Sequence, residues 1–336
     1  MARVRSGISS VPVAMVGWAM CAAALFAQTA APTAFPPAPE GFDARRPGIP
    51  TSRVERIEYA STVTGGKRPA MVYTPPGYSP ARKYPVLYLL HGIGGNETHW
   101  TQFGAADRIL DNLIAANKAV PMIVVMPNGR ASNEPSTLFG GRGGPRGGPR
   151  GDPGDGAGAA PGAAPDASAG GRGQAGGGGA RAGGPGAAGM GVEFQAYAAF
   201  ERELISDLVP HIESHYSVQA DREHRALAGL SMGGGQSLNF GLGNLNTFAW
   251  VGGFSSAPNT SQPAQLVKDP AAARQMLKLL WVSCGDQDSL FNISEGVHKY
   301  LAEQNVPHIW HIDAGGAHTF PVWKNDLYHL ATLLFR

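Results

Sequence analysis

Charge is the first thing in short supply. Lys, Arg, Asp and Glu together supply 15% of the 336 residues, against about 25% in an ordinary soluble domain. The formal net charge is +2, too small in itself to draw in nucleic acid or an acidic partner. Cysteine is nearly absent, with Cys21 and Cys284 its two occurrences. No Gly-X-Y period runs through the chain, which excludes a collagen. Wholesale disorder is excluded too, because 43% of the residues are hydrophobic and can bury a core.

Long apolar runs are also scarce. The one from Val11 to Phe26 is broken by Pro12 and Gly17 and is too short for a comfortable membrane span. It follows Arg3 and Arg5 and precedes small residues around Ala27 to Ala31. Basic, apolar and small is the order of a cleavable secretory signal, so residues 1–30 are expected to be removed on export. Localisation is then secreted or periplasmic, with no stable membrane insertion after cleavage. Cys21 would leave with the signal, and Cys284 alone can form no intramolecular disulfide. Pro-rich residues 31–52 read as a linker, and residues 53–336 as the folded domain.

Aromatic residues are missing between Phe139 and Phe194, where 23 of the 47 glycines fall within residues 140–191. A stretch with so little to bury cannot offset the entropy of ordering, so a disordered Gly/Pro/Ala-rich insertion is expected at about 132–191. Its Arg142-Gly-Gly-Pro-Arg146 stretch has the look of RNA-binding segments. Five arginines opposed by three aspartates make it a spacer instead, and no nucleic-acid partner is expected.

Outside the insertion, short β-rich runs alternate with helical patterns. Strands are expected at 53–63, 68–74, 84–90, 122–126, 224–228, 248–254, 279–283 and 308–312. Helices are expected at 105–117, 193–216, 233–243, 293–304 and 321–335, with Pro210 kinking or dividing the second. This alternation implies an α/β fold, a mostly parallel central sheet with helices on both faces.

The chemistry centres on Gly229-Leu230-Ser231-Met232-Gly233. This G-x-S-x-G follows an expected strand and opens an expected helix, the context of a nucleophile elbow. Serine needs a base, and the base needs a third group to hold it. In such folds the chain order is Ser, acid, His. Asp286 and Asp288 both sit in one strand-end loop, and His318 follows the last strand; either aspartate could serve. His298 and His329 fall within helices, and His308 and His311 on a strand. A metal at the strand pair would need a Cys, Asp or Glu cluster, and no such cluster is expected to complete a site there. The developing oxyanion needs backbone donors: Met232 N–H directly after the nucleophile, and Ile93 N–H in the glycine-rich His91–Gly95 turn.

The motifs H-G-I-G-G, R-A-L-A-G-L-S-M-G-G-G-Q, C-G-D-Q-D-S-L and G-G-A-H-T-F-P-V-W resemble the esterase-D-like group of α/β-hydrolases. They are most similar to the feruloyl esterases of carbohydrate esterase family 1, including domains attached to bacterial xylanases. The resemblance implies the α/β-hydrolase fold, with Ser231 as nucleophile, His318 as base and Asp288, before Ser289-Leu290, as the acid. With the export signal, the reading is a secreted serine esterase that needs neither metal nor cofactor, and the resemblance implies carbohydrate-linked esters, such as feruloyl or acetyl groups of xylan, as substrates. The expected partner is a small-molecule or polysaccharide ester substrate. The alternatives are an acyltransferase or a formylglutathione-hydrolase-like esterase of the same fold, and a non-catalytic polysaccharide-binding domain using exposed aromatics such as Trp100 or Trp323.

Overall fold

Period-two burial organises the sheet. In the computed structural model, which describes Met1 and residues 35–134 and 187–336, β3 (Val86–Leu90) is buried at every position. Val86, Tyr88 and Leu90 point into one hydrophobic cluster, and Leu87 and Leu89 into another on the opposite face. A strand covered on both sides needs such an unbroken apolar run.

Before it come β1 (Arg53–Ser61) and β2 (Gly66–Thr74), an antiparallel pair. After it come α1 (His99–Gln102), α2 (Ala106–Ala115) and β4 (Ile123–Pro127). Beyond residues 135–186 follow α3 (Ala187–Glu203), a π-helical turn (Leu204–Leu208), α4 (Val209–His215) and β5 (Arg225–Leu230). Next are α5 (Met232–Gly243), β6 (Trp250–Phe254), α6 (Pro263–Leu266) and α7 (Pro270–Met276). The chain ends with β7 (Leu279–Gly285), α8 (Phe291–Glu303), β8 (Ile309–Asp313) and α9 (Phe320–Leu333). The sheet order is β1-β2-β4-β3-β5-β6-β7-β8. From β4 onward all neighbours are parallel, so the carboxyl ends of β3, β5, β7 and β8 share one edge. Ligand sites of open α/β sheets form at that edge.

Three expectations are corrected in detail. The break near Pro210 comes upstream, as the π-helical turn, and Pro210 occupies the first turn of α4, where its missing N–H costs nothing. The insertion is shorter than expected within the described residues. Ser132 N–H bonds to Arg130 O at 2.9 Å, and α3 already begins at Ala187. The described part of the linker, residues 35–52, is packed on the domain. Ala38 N–H donates to Asn325 (2.9 Å), Asp43 pairs with Lys324 (2.8 Å), and Asn112 donates to the carbonyls of Phe42 and Ala44 (2.9 Å each). Phe35 and Phe42 anchor it in the cluster under α2 and α9. The expected signal segment falls on residues outside those described, apart from Met1.

A buried polar knot ties the sheet edge to α3. Glu203 accepts from Tyr59 O–H, from Ser61 O–H (2.7 Å) and from Arg68 Nε (3.1 Å). Tyr59, Ser61, Arg68 and Glu203 are all buried. Removing one partner strands the others without water, so Glu203→Ala should destabilise by about 3–5 kcal/mol in urea unfolding. A loss below about 1 kcal/mol would show that the knot contributes little.

Candidate active site

The elbow at Ser231 is built by what its neighbours lack. Ser231 lies between β5 and α5 with φ +53° and ψ −118°, a conformation that L-residues adopt only when their surroundings force it. Gly229 and Gly233 make room for the turn. A Cβ on Gly229 would sit 2.5 Å from Gly233 O, and one on Gly233 would sit 2.5 Å from His91 O. The spacing of glycine, serine and glycine is thus a steric requirement of the elbow.

His318 lies on the loop between β8 and α9. Its Nε2 is 2.9 Å from Ser231 Oγ, and its Nδ1 is 2.7 Å from Asp288 Oδ2. Asp288 sits in the loop after β7, and its Oδ1 accepts the Leu290 N–H at 2.8 Å. Burial raises its pKa, but the donors from His318 and Leu290 outweigh burial and hold the carboxyl below its ordinary value. An ionised carboxylate only accepts, so Nδ1 carries the ring proton and Nε2 turns its lone pair to the Ser231 hydroxyl. The two loops meet closely: Gln287 N–H bonds Gly316 O (2.9 Å), and a Cβ on Gly285 would fall 2.1 Å from that same oxygen.

Asp286, the other aspartate of that loop, turns away from His318. Its Oδ1 accepts the Gly315 N–H at 2.7 Å and pins the histidine loop from outside. The choice left open by the chain order thus has a geometric difference behind it.

Ile93 and Met232 lie beside Ser231. A Cβ on Gly92 would stand 3.5 Å from Ser231 Oγ, which puts the Gly92–Ile93 backbone against the hydroxyl. Among the described residues, neither the Ile93 nor the Met232 N–H has a backbone acceptor. Asn259 Nδ2 donates to Met232 O at 2.9 Å and fixes that peptide.

Several contributors escaped sequence reading. His91 is buried, and its Nε2 accepts the Gly129 N–H at 3.0 Å. Nδ1 must then carry the proton and donate to Gly92 O at 2.7 Å, which shapes the turn presenting Ile93. Burial lowers the His91 pKa to about 4. Ser255, at the end of β6, has φ +44° and accepts from the buried Cys284 thiol (3.8 Å) beneath Asp288. Trp323 stands edge-on to the His318 ring, with centroids 4.9 Å apart. Trp323 and Trp100 are both buried, and Trp100 Nε1 donates to Leu90 O (2.9 Å). Neither offers the exposed aromatic face that a polysaccharide-binding reading would need.

His91 gives a pH prediction. Its folded pKa lies below the ordinary 6.5, so between those values the unfolded chain binds more protons and stability falls as pH drops. The contribution is full above about 6.5 and costs about 3 kcal/mol by pH 4. Urea unfolding should find the protein about 2 kcal/mol weaker at pH 5 than at pH 7.5 from this group. His91→Gln keeps an acceptor for Gly129 and should have a shallower pH slope; an unchanged slope would exclude His91 as its source.

Two groups of histidines stand apart from Ser231. His298 and His308 bond each other at 2.8 Å, with His298 stacked on Trp310. His311 has Asp313, two residues on along β8, and Asp326 of α9 as neighbours, so an acidic cluster does stand beside it where none was expected. A cavity of about 1130 Å³ runs along the flank of α5 past Gln236, Asn239 and Asn259 and does not include Ser231 or His318.

The Esterase family model matches residues 61–144 and 177–328. The chain is 31% identical over 302 residues to an endo-1,4-beta-xylanase/feruloyl esterase of Xylanibacter ruminicola, covering 88% of this chain and 33% of that protein. It thus spans about one third of that curated relative's length. Among solved structures, the CE1 ferulic acid esterase of Anaeromyces mucronatus matches with a TM-score of 0.66 and 24% identity, covering 89% of this chain and 96% of that one. The S-formylglutathione hydrolase of Staphylococcus aureus matches at 0.57 and 17%, over 86% and 99% of the two chains. At these identities the structural likeness is one of fold, the α/β-hydrolase arrangement.

Proposed function

The chain belongs to the esterase family, and from that premise we propose a serine carboxylic-ester hydrolase that acts on carbohydrate-linked esters through an acyl-enzyme. One observation carries the reading: an unbroken line of hydrogen-bond contacts from Ser231 Oγ through His318 to Asp288, ending on a strained elbow. Ser231 Oγ attacks the ester carbonyl while His318 Nε2 takes its proton. Asp288 keeps the imidazole in the productive tautomer and stabilises the imidazolium. The Ile93 and Met232 N–H groups receive the oxyanion. His318 then protonates the departing alcohol, and water, activated by the same ring, releases the acid.

The xylanase/feruloyl esterase relative supports a feruloyl or acetyl ester of a plant-wall polysaccharide as substrate. The basic and apolar N-terminus supports export to the periplasm or medium. Among the described residues, no helix is long and apolar enough to cross a membrane. Residues 53–336 form the esterase domain of this reading, with residues 35–52 packed against it and the Gly-rich insertion interrupting it.

The test is turnover of methyl ferulate against acetylated xylan by the purified full chain, with a fluorophosphonate label on the nucleophile. Hydrolysis of either ester with labelling at Ser231 is the expected result. No turnover on either, together with no labelling, would overturn the reading.

A further inference from the structure

Between β8 and α9, beside Trp281 of β7, three side chains converge that the esterase chemistry does not use. His311 lies on β8, Asp313 ends it, and Asp326 comes from α9. One ligand atom from each lies within 4.8 Å of the other two, and His311 Nε2 is 3.4 Å from Asp313 Oδ2. Asp326 is fully buried.

Each carboxylate has one oxygen held and the other turned inward. Asp313 Oδ1 accepts from Asn325 Nδ2, and Asp326 Oδ1 accepts from Trp281 Nε1 at 3.3 Å. Among the described residues, Asp326 Oδ2 is buried with no hydrogen-bond partner in range, and the Ser283 hydroxyl beside this carboxyl is itself unpartnered. An unmatched carboxylate oxygen in such a place costs far more than an unmatched amide, and buried charges are normally paired or coordinate metals. Holding one oxygen by an outer donor while the other faces the cation is how proteins orient ligating carboxylates.

We propose that His311, Asp313 and Asp326 bind a divalent transition-metal ion of the zinc type. One imidazole and two carboxylates suit a borderline cation. The 3.4 Å edge matches the separation of tetrahedral ligands at bond lengths of about 2.0–2.2 Å. The fourth position falls to water or to His329, whose Nε2 is buried without a hydrogen-bond partner among the described residues and whose ring stands 5.8 Å from that of His311. Phe35 of the N-terminal segment closes the place from above, with its ring 5.5 Å from His311 and 5.0 Å from His329. The role is structural, because His311 and Asp326 are buried and Phe35 covers them. The ion would staple β8 to α9, on either side of the loop that carries His318.

The experiment measures metal rather than ester turnover, so its outcome is independent of the proposed activity. The full chain, purified without chelator or histidine tag, should retain about one equivalent of divalent metal per chain by mass spectrometry. Exhaustive dialysis against EDTA should lower Tm by several degrees, and added Zn²⁺ should restore it. Asp326→Asn keeps the side-chain shape and should hold less than about a tenth of the wild-type metal. The proposal is overturned if the EDTA-treated wild-type chain shows no Tm response to Zn²⁺ and takes up none. A proton shared by the two carboxylates would then balance their charge. It is equally overturned if Asp326→Asn retains as much metal as the wild type.

Discussion

Ser231→Ala is expected to lower kcat on p-nitrophenyl acetate by at least about 10³-fold and to abolish fluorophosphonate labelling, with the melting temperature little changed. The magnitude follows from what the hydroxyl does. Without Oγ there is no covalent route, and His318 Nε2 is left facing empty space where it now stands 2.9 Å from the oxygen. Residual turnover would come from binding and from the Ile93 and Met232 donors, which the substitution leaves in place. Stability should hold because alanine keeps the Cβ, so the backbone cost of φ +53° is the same before and after. KM should change little if the ester is positioned by the pocket and the oxyanion donors. An alanine variant that retained wild-type kcat would end the serine-esterase proposal, since no second hydroxyl is set 2.9 Å from His318 Nε2 among the described residues.

The elbow was legible in the sequence because its requirements are local. The glycines at 229 and 233, the apolar run before them and the helix after them are steric consequences of one tight turn. The parallel sheet was legible for a similar reason: β3, β4 and β5 are buried throughout, and continuous apolar runs separated by helical periods have few other solutions. What was not legible depends on direction. Asp286 and Asp288 are two residues apart, and spacing alone cannot say which carboxylate faces His318. His91 looked like the start of a glycine turn, and its bond to Gly129 joins residues from two different strand ends. Proline content made residues 31–52 read as a linker. The described part is held by single anchors, Phe35, Phe42 and Asp43, too sparse to form a periodic pattern. The neighbours of His311 were hidden because Asp326 arrives from a helix one connection later, and no sequence motif for a metal spans that gap.

Asp288→Asn should cost about 10³–10⁴-fold in kcat, whereas Asp286→Asn should cost less than about tenfold. The two changes are chemically identical, and only the geometry separates them. An asparagine at 288 can still accept the Leu290 N–H, but its NH₂ would then face His318 Nδ1 in place of an acceptor. The ring answers by moving its proton to Nε2, which then points a hydrogen at the Ser231 hydroxyl and can no longer accept from it. The imidazolium of the transition state also loses its counter-charge. At 286 the amide oxygen still accepts the Gly315 N–H, the bond that the carboxylate makes at 2.7 Å, so the histidine loop stays in place. Raising pH cannot rescue the 288 variant, because the fault is the position of a proton within the ring rather than its charge. Measuring kcat for both variants across pH 5–9 therefore separates the roles, and a larger loss for Asp286→Asn would transfer the acid's part to that residue.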